Sequence, residues 1–306
     1  MTQSSPSWPL CVVLSLVACG APRSTGPEPV PQAAPGAIDA AAVPKSGAPP
    51  APEPWHAPGR TLPGVTARCE PWYLLEVGPY KYENDTWGSK KAQGKWEQCV
   101  LTRDAGGKTE VGWTWNWPGN DPSIFAYPEI IFGWKPWSGG KSSDPRIPMR
   151  VGDVRKLALH YEVETEATGS YNLAPEIWLI ENAEWSQLAD PKLITTEVMF
   201  WLDYTGTTNP AGKVVGTPTI DGVTYELWKE DKMGVDANGK GWMLLSFKSP
   251  RVVHKGTLSI DAFLRHLVAA KLVKEEERVA SIEFGNEIAG GSGTTWVKRY
   301  EIEVGP

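Results

Sequence analysis

The chain has 306 residues and a formal net charge of −6, with 16 tryptophans and 4 cysteines. Its basic residues are dispersed, which argues against a nucleic-acid partner, and no apolar stretch is long enough to span a bilayer as a mature segment. The histidines at 56, 160, 254 and 266 lack metal-ligand spacing, and there is no Cys-x-x-Cys, phosphate loop or dinucleotide fingerprint, so no metal or cofactor is expected.

The first apolar run, "PLCVVLSLVACG" at 9–20, has the length of a signal-peptide core. It ends in Leu16-Val17-Ala18-Cys19, which is similar to the bacterial lipobox, whose cysteine is lipidated and becomes the new N-terminus. The preceding "MTQSSPSW" carries no lysine or arginine, so an ordinary secretory signal with a chance cysteine is the alternative. Residues 1–19 are read as the signal, with Cys19 as the lipidation site, which places the protein at a bacterial cell envelope or outside the cell. Residues 20–65 are rich in Pro, Ala and Gly without apolar periodicity and read as a disordered tether. With Cys11 and Cys19 assigned to the signal, Cys69 and Cys99 remain as an even pair in an exported domain, which predicts a disulfide over two free thiols.

From 66 to 306 the pattern is one of strands. "WTWNW" at 113–117 puts three indoles on one side of a strand, read as core ahead of cleft; Trp134 and Trp137 are open to either reading. "KLALHYEVE" at 156–164 alternates, with Leu157, Leu159, Tyr161 and Val163 inward. "YNLAPEIWL" at 171–179 puts Asn172, Glu176 and Trp178 on one face. "TTEVMFWL" at 195–202 turns Val198, Phe200 and Leu202 to the core and sets Glu197 beside Met199 and Trp201 on the other face. Then "SIDAFLRHLVAAKLV" at 259–273 switches to helical spacing, with Ser259 as N-cap. "EFGNEIAGG" at 283–291 places Glu287 after an apolar strand, and "WVKRYEIEV" at 296–304 predicts Trp296, Tyr300, Ile302 and Val304 on one face. Turn signals at 104–108, 210–213, 221–222 and 237–241 separate the runs at hairpin spacing. Many short strands with one helix predict an all-β sandwich or jelly roll with one amphipathic helix.

Glycoside hydrolysis needs two carboxyl groups flanking one bond, with aromatic surfaces to hold sugar rings. Glu197, Glu287 and Glu176 on strands with interleaved tryptophans suggest such a cleft. The residues from about Cys69 onward resemble glycoside hydrolase family 12, the β-jelly-roll endoglucanases and xyloglucan hydrolases. The resemblance rests on "NDTWG" (84–88), "WNWPGN" (115–120), "YPEIIFGWKPW" (127–137), "NLAPEIWL" (172–179), "TEVMFWL" (196–202), "NPAGKVVGTPTIDGVTYELW" (209–228), "SIDAFLRHL" (259–267) and "IEFGNE" (282–287), in the family's order.

The resemblance implies a retaining mechanism with Glu197 as nucleophile, Glu287 as acid/base and Glu176 hydrogen-bonded to Glu197 in support. It implies that Trp87 stacks a sugar ring and that Asn84, Asn172, Met199, Trp201 and Pro210 contact substrate. The implied substrate is a β-1,4-glucan, with xyloglucan as the alternative, and the expected unit is a monomer tethered to membrane only through its lipid. Departures from the family's pattern are Glu176 for Asp, Asn286 for Thr, Asp85 for the second Asn of the first motif, and Ile288-Ala289 for Pro-Phe. Two readings from other classes stand against this one. A non-catalytic glycan-binding jelly roll does not need two glutamates in both mechanistic positions, and a structural envelope protein does not need the cleft motifs.

Overall fold

The computed structural model describes residues 63–119, 123–205, 209–234 and 240–305. The signal, Cys19, the tether up to residue 62 and most of the turn at 237–241 lie outside the described residues. Val65 already opens the first strand, Val65–Arg68, one residue inside the expected end of the tether.

Period-two alternation with apolar residues inward drives the described chain into two antiparallel-dominated layers. One layer runs Val65–Arg68, Glu97–Asp104, Thr109–Trp117, Ile288–Val304, the first part of Leu157–Ile180, then Lys255–Leu258. The other runs Leu74–Val77, Tyr80–Glu83, Glu129–Gly133, Arg278–Gly285, the second part of Leu157–Ile180, Ile194–Trp201, Trp242–Lys248, Glu226–Met233 and Lys213–Gly216. The segments read as separate strands at 156–164 and 171–179 are one 24-residue strand, Leu157–Ile180, that serves both layers. It changes layer between Tyr171 and Ala174, just past Gly169, which takes φ +91° and where a Cβ would lie 2.5 Å from the Gly290 carbonyl oxygen. Only glycine admits that approach. The result is a jelly-roll sandwich, as predicted.

The space between the layers is filled by the inward sets. Val198, Phe200 and Leu202 are buried there, as the alternation predicts, together with Leu157, Leu159, Tyr161 and Val163. Trp113, Trp115 and Trp117 are core residues too, and Trp117 is sandwiched between Trp96 and Phe125 with ring centroids at 4.3 and 5.5 Å. The helix, Ile260–Ala269, is shorter than the predicted 259–273. Lys271 takes φ +59°, and the amides of Leu272 and Val273 turn back to the Leu267 carbonyl. Ser259 occupies the N-cap without a side-chain cap bond. Phe263 docks edge-on against both Phe200 and Phe247, at 4.8 Å each.

One predicted face is corrected. Trp296 does not share a face with Tyr300: the pairing of Ile288–Val304 with Leu157–Ile180 shifts register between Val297 and Arg299. The extra residue reverses the alternation, so Val297 and Tyr300 enter the main core while Trp296 packs outside it with Cys99 and Leu101. Cys69 and Cys99 form the predicted disulfide, with Cα atoms 3.9 Å apart. Among the described residues no helix is long and apolar enough to cross a membrane.

Candidate active site

Three neighbouring strands of the second layer build the site, because in-register neighbours point the same way. Glu176 lies opposite Met199 on one side and Glu283 on the other. Trp178 lies opposite Glu197, and Leu244 flanks Glu197 from the far strand. Glu176 is therefore a diagonal neighbour of Glu197, still within reach of long side chains. Glu287 enters from the junction between Arg278–Gly285 and Ile288–Val304, as the chain passes from the cleft layer to the other.

That junction is tightly held. Asn172 Nδ2 donates to Glu287 Oε2 at 2.5 Å, and the Glu287 amide donates to Asn172 Oδ1 at 3.3 Å. Asn286 accepts from Trp113 Nε1 and Thr295 Oγ1, both at 2.8 Å, and donates to the Asn172 carbonyl at 3.0 Å. Asn286 thus anchors the chain one residue before Glu287. On the nucleophile strand, Trp242 Nε1 donates to Glu197 Oε2 at 2.6 Å. Behind it, Thr195 and Thr196 both donate their hydroxyls to Glu277, which ties the strand to the 274–277 turn.

The electrostatics follow from placing several carboxyls on one buried face. Burial and the Glu287 charge push Glu197 up to about 8, against the Trp242 hydrogen bond. Burial pushes Glu287 up to about 7, opposed by Asn172. Glu176 stands well above the usual carboxylate range through burial and the charges of Glu197, Glu287 and Glu283. Two adjacent carboxyls of this kind resist ionising together, so the pair retains a proton into the neutral range. Glu197 faces two like charges, Glu287 and Glu283, and its one opposing influence is the neutral Trp242 donor.

A second acidic group lies along the same layer. Lys135 Nζ bonds Glu129 at 2.5 Å and Glu83 at 2.7 Å and approaches Asp85 at 3.3 Å, all four buried. Burial disfavours the ammonium, but Glu129, Glu283, Asp85 and Glu83 outweigh it and hold Lys135 charged. Asp85 is pushed up to about 6 by burial, with Lys135 opposing. The three acids converge closely enough to hold a metal ion, but the lysine ammonium already occupies their focus.

The residues expected to contact substrate are distributed as follows. Met199 and Trp201 pack with Ala174 and Leu244 on the cleft face, apart from the main core. Trp201 Nε1 is buried and has no hydrogen-bond partner among the described residues. Asn172 is buried and spent on Glu287. Trp87 is 49% exposed, with the Lys91 ammonium 4.7 Å above its ring. Asn84 departs from its expected role: it is fully buried, and its Nδ2 donates to the carbonyls of Glu70 and Gln98, pinning the disulfide-bearing segment. Pro210 is buried at the start of the loop before Lys213–Gly216. Of the two undecided indoles, Trp134 is buried and Trp137 is 40% exposed, set edge-on to Trp178 and Trp242. Trp242, Glu283 and the Lys135 cluster were missed, because strand periodicity does not reveal which distant strands become neighbours.

Three comparisons fit this geometry. The sequence profile of glycosyl hydrolase family 12 matches residues 78–305. Endoglucanase S of Pectobacterium parmentieri is 30% identical over 235 residues, covering 75% of this chain and 84% of that protein. A xyloglucan-specific endo-β-1,4-glucanase A of Aspergillus aculeatus is 23% identical, over 77% of this chain and 90% of its own. The family 12 xyloglucanase structure from Bacillus licheniformis superposes with a TM-score of 0.69 at 29% identity, covering 78% of this chain and all of that one. A strand-built cleft with clustered buried carboxyls, together with these matches, establishes that the chain belongs to glycosyl hydrolase family 12.

Proposed function

We propose that the protein is an endo-acting β-1,4-glucanase that cleaves by double displacement with retention. Glu287 gives its proton to the glycosidic oxygen as Glu197 attacks the anomeric carbon. Glu287 then takes a proton from water, which displaces Glu197 from the covalent intermediate. Glu176 supports Glu197 from the diagonal position, and Asn172 orients Glu287. The observation that carries this reading is the convergence of Glu197 and Glu287, close enough for the Glu287 charge to help raise Glu197, beside the floor of Met199 and Trp201. The test is the configuration of the product first released from a β-glucan, followed by NMR. A β-configured reducing end is expected; an α-configured one means inversion and removes these role assignments.

A xyloglucan-specific activity is the second reading, favoured by the 29% identical xyloglucanase structure. Reducing-sugar release from carboxymethylcellulose, mixed-linkage glucan and xyloglucan in parallel separates the two. A glycan-binding protein without catalysis would release none. The leader supports export, with Cys19 as a lipid anchor and the 20–65 segment as tether. Cys19→Ser is expected to abolish lipid labelling and leave hydrolysis intact; a mature chain starting elsewhere without lipid removes the anchor.

A further inference from the structure

The buried carboxyl Glu197 faces like charge from three other glutamates. Glu176 approaches from Leu157–Ile180, Glu283 from Arg278–Gly285, and Glu287 from the junction that follows. The buried cation of this face, Lys135, is committed to Glu83, Asp85 and Glu129. What meets Glu197 instead is a neutral donor, the Trp242 indole N–H, at 2.6 Å from Oε2.

That indole is held from three sides. Trp137 and Trp178 stand edge-to-face against it, with centroids at 5.3 and 5.7 Å, and meet each other at 5.6 Å. Gly234, at φ +52°, closes over the ring so tightly that a Cβ there would lie 1.9 Å from Cζ3. A side chain at Gly234 would have to displace the ring. The strand Trp242–Lys248 runs parallel to the Glu197 strand, with Met243 beside Thr196, so the indole leans across from the adjacent strand.

We propose that Trp242 is a positioning residue for the hydrolytic reaction, an immobilised donor that fixes the Glu197 carboxylate and selects its oxygens. The proposal rests on Glu197 being the nucleophile. With Oε2 bound to the indole, Oε1 is the oxygen that attacks. Its electron pair forms the bond to the anomeric carbon as the glycosidic C–O bond breaks and Glu287 protonates the leaving oxygen. In the ester intermediate Oε2 is the carbonyl oxygen and still accepts from the indole. When water, deprotonated by Glu287, attacks the anomeric carbon, the C–Oε1 bond breaks and the pair returns to a carboxylate already solvated at Oε2. Indole is a donor only, so it favours the ionised Glu197 over the protonated one. It therefore shifts the shared proton towards Glu287, which can keep it on one oxygen while accepting from Asn172 on the other. A neutral donor suits a group that must both attack and leave, since a fixed cation would hold the free anion more strongly than the ester.

Trp242→Phe keeps a ring for Trp137 and Trp178 but removes the N–H. It is expected to lower kcat about 10–100-fold with KM changed less than about threefold, the loss of one hydrogen bond to a charged group. The acidic limb of kcat/KM is expected to move up by about one pH unit. Gly234→Ala, which pushes the indole aside while leaving its N–H, is expected to shift the limb in the same direction, and serves if the first variant does not fold. Labelling the wild-type protein with an activated 2-deoxy-2-fluoro-β-cellobioside and identifying the modified residue tests the underlying reading separately. A label on Glu197 with kcat and the acidic limb unchanged in the foldable variants overturns the role of Trp242 alone. A label on another residue overturns the nucleophile assignment and this proposal with it.

Discussion

Replacing Glu197 by Gln is expected to abolish hydrolysis and stabilise the fold at alkaline pH. The Glu197 carboxyl is raised from 4.5 to about 8. A folded value above the unfolded one means that the native chain holds a proton the unfolded chain has released. Stability from this group is complete below pH about 4.5 and is lost as pH rises through about 8. A shift of that size corresponds to roughly 5 kcal/mol at most. Part of it is the mutual repulsion with Glu287, which belongs to the pair, so we take roughly 2–4 kcal/mol for Glu197 alone. Glutamine carries no charge and still offers its carbonyl oxygen to Trp242. For a folded region of this size, the midpoint of thermal unfolding should rise roughly 4–16 °C at pH 9. At pH 4 the variant and the wild type should melt within a degree or two of each other, about the scatter of such measurements. Calorimetry of both proteins at pH 4, 6 and 9, with reducing-sugar assays on the same samples, measures both effects. No gain at pH 9, or an equal gain at every pH, would falsify the claim that ionising Glu197 strains the native state.

Glu287→Gln should impair β-glucan hydrolysis far more than hydrolysis of an activated aryl β-cellobioside, whose leaving group needs little protonation; equal losses on both substrates would remove Glu287 as the acid. Glu176→Gln should lower kcat while leaving measurable activity, whereas complete loss would make it a participant in the chemistry. Lys135→Met leaves Glu83, Asp85 and Glu129 buried without their cation and should cost about 3–5 kcal/mol. The cost should be larger in urea unfolding at pH 8 than at pH 5, because Asp85 ionises at about 6, and a pH-independent cost would contradict that account. Removing the disulfide by replacing Cys69 and Cys99 with Ser opens a link between positions 30 apart. It should cost roughly 3–4 kcal/mol on the loop-entropy model, read from urea midpoints with and without reductant.

Much of this protein was legible in its residues. Alternation alone sorted 195–202 into a core face and a cleft face, because a strand's side chains must alternate whatever it packs against. The pattern switch at 259 announced the helix, the pair of mature cysteines announced the disulfide, and motif order announced the family. Periodicity says which way a side chain points but not what stands beside it. Trp242 reaches Glu197 across 45 positions through a parallel pairing that leaves no local signal. Glu283 faces Glu176 only because two strands more than 100 residues apart in sequence pair in that register. The extra residue between Val297 and Arg299, invisible in an alternating run, sent Trp296 out of the core. Asn84 carries the same residue in either reading, and only its carbonyl partners decided that it pins the chain instead of facing the cleft. The elements and their faces follow from short-range sterics and polarity, which each segment carries in itself. The charge state of the site follows from which segments the fold brings together, since burial and neighbouring charge exist only after the strands have paired.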